Sequence, residues 1–546
     1  MTESRNDHFN KTVSRRAMLA AIGMTGAALA AGCGPKASAE MLSERLGSTA
    51  AACSCFCVTD YGAAGDGVTD DTAAIQAAIN AAQTAGGGVV CFPLTAAKYI
   101  CNGVTISGSN VFIDLGGSTV EKKTGNGYAF SFSGSLTQKN VGIMNGVLIG
   151  DNSAIANGGI SVAPNKLTDA VDGFICSDIT CERFAQYGIN AGSVSNAIFR
   201  HISIKQHGSI AQGATIGIGF VIYPKNPQKH IFIDDLYSHI NVSSTLTSAA
   251  IKFETAANVM ATNIHAVNGT EACCVVNATD HSMYANMLLE SEYSNSGYLG
   301  LVVTSNDYIV NPQVTNATFQ VNHVKARGKF SNPLVLAANG VTRCVFDHFD
   351  LSETSAGRAV ITTNGIVTHC TFTNFISDIR FDLLQGATCS DCEFDHISLN
   401  SGAFIVRGDN NTASNIISRG AGTIKFVGND NIVRDSISVN CTTNAYHLNG
   451  NRNYIVDCVS VNAVGKNLFI EAGSGNRFHQ LLQAGGGGIQ DSGTGTIGHR
   501  IGSTGGRPAL SANDAGYAYL DTTLHANGKP IWWNGALWVD AAGVSV

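Results

Sequence analysis

Four segments toward the end of the chain constrain its fold most: Ala403–Gly408, Thr423–Gly428, Ala445–Gly450 and Asn467–Ala472. Each alternates apolar and variable residues, then meets a turn rich in Gly, Asn and Asp. After each turn comes an Asn (Asn411, Asn431, Asn453, Asn476), and these lie 20, 22 and 23 residues apart. A period near 22 with two or three short strands per unit suits neither a helical repeat nor a propeller blade. It predicts the coil of a right-handed parallel β-solenoid, an all-β fold whose coils stack at roughly 4.8 Å.

Stacked coils lay like residues on like. Phe404, Ile424, Tyr446 and Leu468 form one predicted column and must face inward. Ile405, Lys425, His447 and Phe469 form its neighbour, and a column that admits Lys and His must face outward. An Asn repeated at a turn can bond its copy in the next coil and tolerates left-handed backbone. Cys344, Cys370 and Cys392 recur at one position and predict a column of small buried thiols. His201, His348 and His396 recur at one strand edge (Phe199-Arg200-His201, Phe346-Asp347-His348, Phe394-Asp395-His396), which predicts a ladder role. The period is weakest between 205 and 335. Segments 205–217, 223–231 and 281–333 read as longer loops, and loops on a rigid scaffold are where function concentrates.

Composition supports this reading. Among 546 residues there are 61 Gly and 9 Pro, and only 13% are charged, which suits many turns and few helices. The net charge of −7 argues against a nucleic-acid partner. The sixteen cysteines show no zinc-site spacing; Cys53, Cys55 and Cys57 alternate as a strand does. Cys176–Cys181 and Cys91–Cys101 are the nearest disulfide candidates once the chain is exported.

Residues 1–33 read as an export signal. Ser14-Arg15-Arg16-Ala17-Met18-Leu19 resembles the twin-arginine motif, and the apolar stretch Ala17–Ala31 is too short for a membrane span. Leu29-Ala30-Ala31-Gly32-Cys33 resembles a lipoprotein box with its aliphatic residue one place early. Lipidation of Cys33, which would anchor the chain to a membrane, therefore competes with cleavage after Ala30 or Ala31. Periplasm, cell surface or extracellular space is the expected location. Residues 34–52 read as a linker.

The stretch Val58-Thr59-Asp60-Tyr61-Gly62-Ala63-Ala64-Gly65-Asp66-Gly67-Val68-Thr69-Asp70-Asp71-Thr72, followed by Gly86-Gly87-Gly88-Val89-Val90-Cys91-Phe92-Pro93, resembles the opening of the pectate-lyase-like superfamily. That superfamily includes rhamnogalacturonase-like and epimerase-like proteins and phage tailspikes. Between the two pieces, Ala74, Ile75, Ala78, Ile79 and Ala82 make one apolar helical face. They predict a helix near 71–85, capped by Asp70 or Asp71, lying across the open end of a solenoid that covers 53–490. Residues 491–546 resemble the short C-terminal β-modules of phage tail proteins. They hold all three tryptophans (Trp532, Trp533, Trp538), which suit a small core of their own, a trimerisation tip or a sugar-stacking surface.

The resemblance implies a polysaccharide ligand, and a homotrimer is among the assemblies it implies. A hydrolase needs paired carboxylates. A lyase or epimerase acting on uronates needs a base and a cation beside the carboxylate. Aligning coils gathers Tyr223, Lys252, Glu254, Asp280 and His281 as catalytic candidates beside the irregular loops. A second set, Asp382, Arg407, Lys425, His447 and Glu471, reads as solvated surface. The polygalacturonase pattern is incomplete: Asp234-Asp235 and Gln206-His207-Gly208 stand in reverse order without an Asn-x-Asp, and an Asp-Pro-His-Asp epimerase signature is absent. The expectation is an exported protein that binds an extended polysaccharide and cleaves it as lyase or hydrolase, with a non-catalytic tailspike-like adhesin as the alternative. No cofactor is expected; calcium at turns such as Asp409-Asn410-Asn411 is the one candidate.

Overall fold

The computed structural model describes residues 55–498 and 501–546, apart from 134–136, 152–156, 163–169, 193, 208–219, 223–227, 241–248, 255, 270–271, 278–280, 292–298, 305–318, 338–340, 355–357, 359, 364–365, 384–387 and 421. The export signal, Cys33 and the linker thus lie outside the described residues.

The four C-terminal repeats pair in parallel and in the predicted register: Phe404 with Ile424, Tyr446 and Leu468, and Ile405 with Lys425, His447 and Phe469. The first column is fully buried, and the second points out. Strands of this kind build a 16-stranded sheet along one side of the solenoid. A 24-stranded sheet wraps the rest, bent once per coil into two limbs, as between Ile432–Arg434 and Ile437–Val439.

Left-handed residues make the bend. Asn145, Asp178, His201, Asp235, Asn263 and Asn286 occupy one column through the early and middle coils, and His323, His348, Asn374, His396, Asn415, Asp435 and Asp457 continue it, all with φ between 51° and 60°. Short polar side chains and imidazoles accept this backbone more readily than branched ones. The repeated histidines therefore shape the corner, and so does Asp235.

A second ladder runs inside the other corner. Asn411, Asn431 and Asn453 each donate from Nδ2 to Oδ1 of the next Asn, at 3.0, 3.0 and 3.2 Å, ending on Asn476. The three stacked thiols continue this column: Cys392 N–H donates to Asn411 Oδ1, and Cys370 N–H to Cys392 Sγ. Phe372 sits between Phe346 and Phe394, with ring centroids 4.9 and 5.1 Å away. Sulfur, amide and phenyl columns are each the same physical device, a side chain satisfied by its own copy one coil away.

Two expectations need correction. Much of the irregular stretch is regular: Ala197–His207, Gln228–Ile240, Ser282–Ser291 and Phe319–Gly328 are strands in register with their neighbours. Insertions between coils lengthen the period there, and strand pairing does not require a constant connection. Among the described residues a disulfide joins Cys55 to Cys91. Cys101 is instead buried beside the Ala129 carbonyl, and Cys176 and Cys181 are buried thiols. The strand Gly88–Cys91 lies beside Cys55–Cys57, whereas Tyr99–Ile100, just before Cys101, pairs elsewhere.

The cap helix spans Thr72–Thr84 and buries Ile75, Ala78, Ile79 and Ala82 against the first coil. Asp70 Oδ1 accepts the Thr72 N–H. Asp71 does not cap: it is buried and accepts the N–H groups of Ala64 and Ile100, tying the Gly-rich turn to the sheet. At the other end, Ala518–Asp521, Lys529–Trp533 and Trp538–Val539 form an antiparallel meander. Its core is Tyr519, Ile531 and Trp538, with Trp533 packed against them. Arg507 donates to Asp521 and covers the Trp538 ring at 5.9 Å.

Candidate site on the outer face of the 16-stranded sheet

The outward column of this sheet passes through Lys252 and, farther along, through Asp382, Ile405, Lys425, His447 and Phe469. Lys252 is half-buried and pairs with Val221 and Val275. Around it the face is apolar: Ala249, Ala272 and Val275 form a small buried cluster outside the main core. Glu254 closes the same strand opposite Asn277. His281 is exposed at φ 48°, in the corner column that also holds Asn258. Tyr223 and Asp280 lie outside the described residues.

Another set of charged groups converges on the later coils. Asp382 is completely buried, with Arg380 Nη2 2.5 Å from Oδ2, Arg407 Nη1 2.6 Å from Oδ1 and Arg358 Nε 3.8 Å from Oδ2. One coil past Arg407 comes Lys425, and one coil further His447, whose side chain is only 13% exposed. His447 Nε2 lies 2.9 Å from Glu471 Oε2, and Lys425 Nζ lies 3.9 Å from the same oxygen. A carboxylate only accepts, so Nε2 carries the imidazole proton and Nδ1 remains an acceptor. Phe469 packs on the imidazole, centroid to centroid 4.9 Å.

Local backbone explains the aim of Glu471. Leu448 pairs with Ile470, but Asn449 pairs with Ala472, so Glu471 is the extra residue of a β-bulge. The bulge turns its carboxylate back onto His447 and Asn449 Nδ2, the latter at 2.9 Å. Burial lowers the pKa of His447, and Lys425 adds to this, while Glu471 opposes. Burial also lowers Lys425, partly offset by Glu471. The hydrogen bond from His447 holds Glu471 below the usual carboxylate value. The result is a neutral imidazole beside a cation that releases its proton more readily than a free lysine.

Alternation hid another group, on the outer face of the second limb of the large sheet. Tyr237 meets His265 at 5.0 Å between centroids, and Glu290 bonds both His265 and Arg327. Next to it is an open cleft of about 300 Å³, lined by Lys325, Asp350, Ile376 and the stacked imidazoles of His323 and His348. Only coil-by-coil register could reveal these pairs, because their members are 25 to 37 residues apart in sequence.

Part of the chain resembles known proteins. Residues 55–113 match the family described as "Rhamnogalacturonase A/epimerase, pectate lyase-like". The described strands form an all-β parallel β-helix. The matched residues are the cap and first coils of the β-helix; none of the charged groups above falls among them. Mannuronan C5-epimerase AlgE1 of Azotobacter vinelandii is 63% identical over 46 residues, which is 8% of this chain and 3% of that protein. Alginate lyase 7 of the same organism is 51% identical over 61 residues, 10% of this chain and 7% of the relative. The β-helix chain thus spans only a few per cent of the length of these curated relatives. Tailspike protein 3 of bacteriophage CBA120 aligns over 90% of this chain and 69% of its own at 14% identity, with a TM-score of 0.33.

Proposed function

We propose that the protein binds an acidic, uronate-containing polysaccharide along the outer face of the 16-stranded sheet and cleaves it by β-elimination. The observation that carries this reading is the placing of one basic residue per coil, Arg380, Arg407, Lys425 and His447, over four consecutive coils. Coils repeat at strand spacing, close to the length of one pyranose, so the cations Arg380, Arg407 and Lys425 match a ladder of carboxylates that ends on the neutral imidazole of His447. The names of the two relatives, which refer to mannuronan and alginate, support an acidic polymer.

In this reading Arg407 and Arg380 hold the carboxylates of the uronates farther along the chain, and Lys425, one coil from His447, stabilises the charge that develops on the reacting uronate when its proton leaves. His447 Nδ1 accepts that proton from C5, while Glu471 holds the opposite ring nitrogen. The C4–O bond breaks, a C4=C5 double bond forms, and the departing oxygen takes its proton from solvent. A hydrolase fits less well: Asp382, the buried carboxylate of the group, is enclosed by arginines and closed off from a sugar on the surface. Export through residues 1–33 belongs to the same proposal, since long extracellular polymers are met outside the cell.

The test is absorbance of unsaturated uronate ends on alginate, polygalacturonate and other acidic polymers. His447→Ala and Lys425→Ala should each lose on the order of 100-fold in rate. Salt-sensitive binding without new chain ends would support the adhesin instead. Neither cleavage nor binding over such a panel sinks the reading.

A further inference from the structure

At the capped end of the β-helix, three sulfurs meet. Cys55 and Cys91 are bonded, and the Cys57 thiol lies 3.0 Å from Cys91 Sγ and 3.8 Å from Cys55 Sγ. The register explains the crowding: Cys57 is the direct partner of Cys91 across the parallel strands, and Cys55 stands one pleat away on the same side. Either cysteine of the strand can therefore reach Cys91 without moving the backbone. Both bonds also close the same loop, the one that contains the cap helix Thr72–Thr84, so exchanging one for the other leaves the cap crosslinked. Exposure differs along the series: Cys55 is exposed, Cys57 half-buried and Cys91 buried.

We propose that Cys55, Cys57 and Cys91 form a thiol–disulfide exchange site that delivers a reactive sulfur to the surface at Cys55, where it takes up an external disulfide. In the first step the Cys57 side chain swings into line with the Cys55–Cys91 bond and its thiolate attacks Cys91 Sγ. The Cys57–Cys91 bond forms, the Cys55–Cys91 bond breaks, and the electron pair leaves on Cys55. No oxidant is needed, because one disulfide replaces another. In the second step the Cys55 thiolate attacks a small disulfide R–S–S–R, forming a mixed disulfide and releasing R–S⁻. The attacking sulfur is the half-buried one, and the sulfur that meets the reagent is the exposed one.

The experiment treats the full chain, carrying Cys33→Ser and Cys53→Ser so that only the cluster reports, with oxidised glutathione or an aromatic disulfide. Chymotrypsin cuts after Phe56 and separates Cys55 from Cys57 under non-reducing conditions. The expected product carries the adduct on Cys55 with Cys57 joined to Cys91. Cys57→Ser should abolish the adduct, and Cys55→Ser should form the Cys57–Cys91 bond and remain unmodified. An adduct on Cys57 with Cys55–Cys91 intact overturns the proposal. So does a chain that never reacts, or one that is purified with stoichiometric zinc on three reduced cysteines.

Discussion

Asn431 accepts from Asn411 N–H and Nδ2 at its Oδ1, and its own Nδ2 donates to the Gly408 carbonyl and to Asn453 Oδ1, each at 3.0 Å. Removing that amide strands several buried groups at once. Asn431→Ala should therefore cost about 1–3 kcal/mol for each group left unsatisfied, read as a lower denaturant midpoint. A second consequence belongs to His447. Its folded pKa lies below the ordinary imidazole value of about 6.5, so the folded state prefers the neutral ring. Its contribution to stability is present above that value and is lost as pH falls through the lowered one. Cleavage should follow the same direction, with an acidic limb midpoint below about 6.5 in the pH–rate profile, and Glu471→Gln should displace that limb.

At the scale of elements, the cap helix was legible because its apolar residues recur at helical spacing. Ile79 is fully buried beneath it and Ala77 is exposed. Ile79→Ala should cost about 2–5 kcal/mol, whereas Ala77→Ser should stay within about 0.5 kcal/mol; thermal unfolding distinguishes them. The role of Asp71 was not legible, because acceptance from Ala64 and Ile100 joins backbone groups that are close only after the first coil closes. The same limit applies to the site. Lys425, His447 and Glu471 read one by one as solvated surface, since each sits on an ordinary outward position. Their convergence depends on a bulge at Glu471, and a bulge adds one residue without a distinctive sequence sign. Tyr237, His265, Glu290 and Arg327 were missed because insertions there disturb the period.

At the scale of the molecule, a net charge of −7 coexists with a cationic stripe along one face. Attraction of an acidic polymer should come from that stripe and should be screened by salt. Raising ionic strength from tens to hundreds of millimolar should weaken binding severalfold, measured by affinity electrophoresis or calorimetry. Arg407→Ala and Lys425→Ala together should flatten that dependence, and an unchanged slope would place binding elsewhere on the solenoid.

The sequence by itself determined that the chain winds in coils, which residues face the core, and which Asn, Cys and His columns run along it. These follow from a rule applied within each coil, alternation, and repeated in the next, so local residues suffice. Only the tertiary structure decided that Cys91 bonds Cys55, that Asp382 is enclosed by three arginines, and that Lys425, His447 and Glu471 meet. Those contacts join side chains from different coils, and their aim depends on register and on a bulge, which are properties of stacked strands and not of any one of them.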